Sequence, residues 1–204
     1  MKIKSIIIQN EGFVHCKSNF YSSHDILNYD TCYEFKLGVN KIIGEIDSGN
    51  WAISYLLSMY THQPNDFVLF REPILTLNDK KVSINEISNI SCYMDKIYPL
   101  FSDWRSVKSI IVQGLQHNQL NYTYEDIRNL FCIDCERFNK PLTGLGNEIF
   151  KAMAAIGFSY KKELFCFPWL SSKRFANYYE NLTVVLKVLE SLQKIVIMPT
   201  GKSL

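Results

Sequence analysis

The sequence predicts an α/β fold on three observations. Short β-like runs fill the first third, helical stretches fill the middle, and a strand–glycine turn–helix unit stands in the first third ahead of the helical middle. A compact β-branched run follows the last helical stretch and supplies a further strand. At 204 residues the chain is long enough for one sizeable core and is expected to form one domain, 1–204.

Residues 2–9 carry Ile3, Ile6, Ile7 and Ile8 and read as the first strand. Residues 31–36, Thr-Cys-Tyr-Glu-Phe-Lys, alternate at period two. Asn40-Lys-Ile-Ile-Gly-Glu-Ile46 is a short apolar run, ended by the turn cluster Asp47-Ser48-Gly49-Asn50. Trp51, Tyr55 and Met59 then recur at i, i+4 and i+8 with Leu56 beside them, which is one face of a helix. Residues 67–70 and 74–77 read as strands, with Asn78-Asp79 as a turn. Helices are expected over 103–116, 124–138 and 146–156; Glu125 and Asp126 sit where negative charge suits a helix N-terminus. A longer helix is expected over 172–192, carrying Phe175, Tyr178, Leu182, Val185 and Leu189. Lys194-Ile-Val-Ile-Met198 is too short and too β-branched for a helix, so it reads as a buried strand flanked by Pro199.

Composition removes several function classes. Lys and Arg number 22 against 20 Asp and Glu, scattered along the chain, so no basic face for nucleic acid is expected. No apolar run reaches the ~18–20 residues of a membrane span. The opening Ile6-Ile7-Ile8 is cut short by Gln9-Asn10-Glu11, unlike a signal peptide. The expected location is the cytoplasm, with membrane contact only through a partner. The six cysteines are expected to be reduced. Cys132-Ile-Asp-Cys135 has metal-like spacing, but His15, His24, His62 and His117 supply no second ligand pair. Two neighbouring positions on a helix explain it better, and no metal is expected.

Gly44-Glu-Ile-Asp-Ser-Gly49-Asn50-Trp51 has the glycine spacing of a P-loop between the right flanking elements. Leu37–Gly44 is similar to the strand that enters such a loop. Ser91-Cys-Tyr-Met94, Pro99-Leu-Phe-Ser102 and Val107-Lys-Ser-Ile110 are similar to a Q-loop region, with Lys96 where its glutamine stands or the glutamine displaced to a residue nearby. Phe167-Pro-Trp-Leu170-Ser171-Ser172-Lys173 is similar to a Leu-Ser-Gly-Gly-Gln signature region, and 194–200 to a Walker B strand with its Pro-Thr ending. In that order, over nearly the whole chain, these marks resemble the ABC-type ATPase family. The resemblance implies a RecA-like P-loop NTPase-type sheet with an N-terminal antiparallel β-arm and a helical subdomain. The β-rich arm and P-loop-like region would span about 1–99, the helical subdomain about 100–168, and the signature-like helix with the Walker-B-like strand about 169–204. In this family Phe20 or Tyr21 would match an adenine-stacking tyrosine.

The departures bear on chemistry. ATP hydrolysis needs magnesium, a cation on the β/γ phosphates and a group that positions water. Asn50 stands where the P-loop lysine belongs and carries no charge; Trp51 stands for the magnesium-binding hydroxyl and has only an N–H donor. Asp47 adds negative charge to the loop. Met198 runs into Pro199-Thr200 with neither Walker B acid, Ser172 and Lys173 replace the signature glycines, and the sequence ends at Leu204 ahead of a D-loop and switch histidine. Gly201-Lys202-Ser203 only imitates a P-loop ending, because Val196 stands five positions before it.

No catalytic residue is therefore expected. Gly44, Asp47, Ser48, Gly49, Asn50 and Trp51 form an anion site at most, with weak ATP or phosphate binding and no cofactor. The expected function is a non-hydrolysing, ABC-ATPase-like binding subunit. Its partner would be a second cassette, a permease or a component of a peptide system. Two alternatives stay open: a working transporter ATPase that uses unusual residues or a catalytic partner subunit, and a freestanding peptide-binding accessory protein. For contacts, Trp51 and Asn50 would lie on one interface and Ser171, Ser172 and Lys173 on another. Against this, Trp51 would simply pack into its own core beside Tyr55 and Met59.

Overall fold

The computed structural model describes residues 3–9, 14–17, 24–26, 32–44, 50–101 and 104–201. Its centre is a four-stranded, all-parallel sheet of β5 (Gly38–Ile43), β9 (Ser91–Tyr93), β10 (Leu164–Cys166) and β11 (Ile195–Thr200), in the order β5-β11-β10-β9. All six residues of β11 and all three of β9 and of β10 are buried. That is the pattern of strands covered on both faces. Helix α1 (Asn50–Met59) packs over β9, β10 and β11, and α7 (Ser172–Ser191) over β11 and β5.

Strand β11 runs two residues past its expected end and takes in Pro199. A proline inside a central strand lacks an N–H for the ladder. Here the odd positions of β11 face β10: Phe167 N–H donates to Ile197 O at 2.8 Å, and Leu170 N–H to Pro199 O at 3.1 Å. Since β10 ends at Cys166, level with Ile197, the missing donor at Pro199 falls where no strand carbonyl waits for it.

Two antiparallel sheets form the arm: β4-β1-β7-β8 from Cys32–Lys36, Ser5–Gln9, Ile74–Leu77 and Lys80–Val82, and β3-β2-β6 from His24–Ile26, Val14–Cys16 and Phe67–Leu69. Asn78 and Asp79, both at positive φ, make the two-residue turn that joins β7 to β8. Gly38, at φ +90°, lets the chain leave β4 and enter the parallel sheet with one residue between them.

Between β9 and β10 lie α3 (Val107–Asn118), α4 (Tyr124–Leu130), α5 (Cys135–Phe138) and α6 (Ile149–Ser159). Helices α3 and α6 approach so closely that a Cβ on Gly114 would sit 2.4 Å from Ser159 Oγ. The helix expected over 124–138 is two helices, because Cys132 takes φ +51° and breaks the run. Cys132 and Cys135 therefore do not share a helix. The helical stretch ends at Ser159, and β10, inside the expected 100–168 span, belongs to the parallel sheet. Strands β9 and β10 and the helix α2 (Ile84–Ile90) were not expected from the sequence.

Candidate functional site

Parallel strands all end on one edge, and in open α/β sheets ligands bind in the crevice outside those carboxyl ends. Here β5, β11, β10 and β9 deliver Gly44, Gly201, Phe167 and Met94 to that edge. Gly44 ties three of its segments together. Its N–H donates to Thr200 O at 2.9 Å, and its carbonyl accepts Trp169 Nε1–H at 3.0 Å. Gly201 closes the same corner: a Cβ there would lie 3.8 Å from Trp169 Cζ2 and 3.9 Å from Ser172 Oγ. Thr200 is fully buried and its Oγ1 has no hydrogen-bond partner among the described residues.

Of the P-loop-like residues, Gly44, Asn50 and Trp51 are described, whereas Asp47, Ser48 and Gly49 lie outside the described residues, as do Phe20 and Tyr21. Asn50 opens α1 and its Nδ2–H donates to Ile43 O at 3.0 Å, so the amide fastens the helix start to the end of β5. Trp51 is 0% exposed, with its ring centroid 6.0 Å from that of Tyr55. The core placement is the one observed; an interface role for Trp51 is corrected by this burial. Further along α1, Ser54 Oγ–H donates to Phe167 O at 2.6 Å, which holds the helix against the end of β10.

Ser171 caps α7, its Oγ accepting Arg174 N–H at 3.1 Å, with Ser172 and Lys173 in the first turn. These residues were expected on a face other than that of Asn50 and Trp51. They share its edge instead, because α7 is the crossover between the parallel neighbours β10 and β11. Such a crossover must start where β10 ends, on the carboxyl edge, and Trp169 there touches Gly44. Trp169 and Thr200 were missed as members of this corner.

Lys96 follows β9 at the far side of the sheet, exposed, and lines a cavity of about 420 Å³ together with Asp95 and Arg174. Burial pushes the Asp95 carboxyl above its ordinary range, against the backbone N–H groups of Ile97 and Lys96 and the charges of Arg174 and Lys96. Two thiols lie under the edge. Burial raises Cys166 to about 12, opposed by hydrogen bonds from Ser58 and Ser54, and raises Cys92 as well. Both are packing residues rather than nucleophiles. Among the described residues no group of three His, Cys, Asp or Glu is placed to hold a metal, and no helix is long and apolar enough to cross a membrane.

No family model matches the chain, and no curated protein matches it in sequence. Solved structures do match its backbone. An ABC transporter ATP-binding protein from Pyrococcus furiosus superposes with a TM-score of 0.64 at 14% identity, covering 98% of this chain and 92% of that one. For cbiO1 from Clostridium perfringens, described as part of the ABC transporter complex cbiONQ, the TM-score is 0.64 at 11% identity, over 98% and 79%. The ATP-binding subunit of another ABC transporter gives 0.57 at 11%, over 93% and 80%. The chain has the fold of ABC transporter ATP-binding proteins.

Proposed function

We propose that this chain, built on the ABC ATP-binding fold, is a subunit that does not hydrolyse ATP and acts by binding a protein partner. The observation that carries the reading is the use made of the two residues in the lysine and hydroxyl positions. The Asn50 amide holds Ile43 O and brings no charge, and the Trp51 indole is inside the core. Magnesium fares no better. Phe167-Pro168 follows β10 and Gly201 follows β11, so neither strand hands a carboxylate to the edge. The described carboxylate nearest a strand end on this edge, Asp95, follows β9, three strands from β5. Magnesium-nucleotide does not fit this set of described groups. A lone phosphate on the first N–H groups of α1, beside Gly44, remains compatible with the helix N-terminus.

A partner is supported by the fold neighbours, one of which is described as part of a transporter complex. On this reading the chain is cytoplasmic and meets a membrane only through a permease or similar partner, while Ser171, Ser172 and Lys173 join the Gly44 corner as one contact surface. The test is phosphate release with magnesium and ATP. No turnover above the contaminant background is expected. Turnover that disappears in Gly49→Asp would overturn the reading and favour a working ATPase with unusual residues.

A further inference from the structure

The cavity beyond β9 holds polar groups of which the nucleotide reading uses only Lys96, at its Q-loop-like position. Its volume of about 420 Å³ lies within the range of small-molecule sites. The apolar wall is Met94, Phe150 and Met153, all buried. Three charged side chains converge with that wall: Asp95 and Lys96 from the turn after β9, and Arg174 from the first turn of α7. Asp95 takes the backbone N–H groups of Lys96 and Ile97, which leaves lone pairs for a further donor. Lys96 and Arg174 are exposed, and neither is within ion-pair distance of a carboxylate among the described residues.

One carboxylate and two cationic side chains beside an apolar wall select their ligand by sign. A plain carboxylate would satisfy Arg174 and Lys96 but set its charge beside Asp95. A plain amine would satisfy Asp95 but face both cations. A metal ion would find a single carboxylate. We infer that this cavity binds a zwitterionic, apolar α-amino acid, its ammonium on Asp95, its carboxylate on the Arg174 fork with Lys96 beside it, and its side chain against Met94, Phe150 and Met153. An Arg guanidinium suits the carboxylate because it can donate two parallel N–H bonds. The inference goes beyond the nucleotide reading and does not rest on it.

Calorimetry on the whole chain with three probes tests it: L-phenylalanine, hydrocinnamate, which lacks the ammonium, and phenethylamine, which lacks the carboxylate. L-Phenylalanine should saturate and bind about tenfold tighter than either, as expected of one charge-assisted hydrogen bond. Arg174→Ala, at an exposed site, should weaken L-phenylalanine and hydrocinnamate by about tenfold and leave phenethylamine at least as tightly bound, since one of the two cations facing its ammonium is gone. Asp95→Asn keeps an oxygen for the backbone N–H groups and should remove the preference for L-phenylalanine over hydrocinnamate. Failure of L-phenylalanine to saturate the unmodified chain at millimolar concentration would overturn the proposal. So would equal affinity for all three probes, or an affinity indifferent to Arg174→Ala. An ATPase result of either sign does not bear on these outcomes.

Discussion

The two ends of the carboxyl edge use their polar groups in opposite ways. At the β5 end the side chains that stand where a nucleotide would be held are engaged with the fold: Asn50 with Ile43 O and Trp169 with Gly44 O, while Gly44 N–H meets Thr200 O. At the β9 end, Lys96 and Arg174 stand exposed and line a cavity together with Asp95. The first end has the outline of a phosphate site without its charge. The second has charge and volume, and of its charged groups only Lys96 stands at a motif-like position. A search for phosphate-binding glycines looks at the first end, although ligand binding depends on unspent polar groups rather than on outline.

Substitutions can break or sharpen this contrast. The largest effect is expected for Trp51→Ala, which should lose about 3–5 kcal/mol in urea denaturation because it empties a fully buried site. Sedimentation should show association unchanged; a loss below about 1 kcal/mol would mean that Trp51 is not structural. Trp169→Phe removes the donor to the buried Gly44 carbonyl and should lose about 1–3 kcal/mol. Asn50→Ala gives up one neutral hydrogen bond beside solvent, about 0.5–1.5 kcal/mol, with no change in phosphate release. At the other end Arg174→Ala should stay within about 0.5 kcal/mol of the parent, and a loss as large as that of Trp169→Phe would erase the contrast.

The smallest effect is one of pH. Burial holds the Asp95 carboxyl above its ordinary value, so the folded chain keeps this proton better than the unfolded chain does. Its contribution is complete below the unfolded pKa and is lost as pH rises towards the folded one. Asp95→Asn should flatten that decline in urea melts taken between about pH 3 and pH 7. A steeper decline in the variant would place Asp95 in a stabilising ion pair instead.

Long elements with clear periods were legible in the sequence. Helix α7 falls within one residue of its expected span, and β1, β4, β7 and the Asn78-Asp79 turn stand where patterning put them. Strands β9 and β10 were not legible, since three buried residues carry no period and their partners lie about thirty (β10 with β11) or seventy (β10 with β9) residues away. Helix α2 did carry a signal, the capping box of Ser83 and Glu86, that the reading left unused. The break at Cys132 had none, because cysteine is not a residue that announces positive φ. For the site, the Trp51–Tyr55–Met59 stripe already pointed inward. The Gly44–Trp169–Thr200 corner stayed hidden because it joins residues more than a hundred positions apart, which only the crossover through α7 brings together.

The pairing of β5 with β11 also sets an order of events at the ribosome. Among the described residues strand β5 is an edge of the parallel sheet, and its neighbour there is β11. Its Gly38 N–H waits for Lys194 O, and its ladder partners run from Ile195 to Thr200. Some 150 residues must be made after β5 before that edge can close. Until then an apolar strand carries open N–H and C=O groups, the kind of template on which nascent chains associate. Completion of the sheet therefore waits for the synthesis of β11, and a chaperone that shields β5 through that interval would act on this protein more than on one whose strand neighbours are close in sequence.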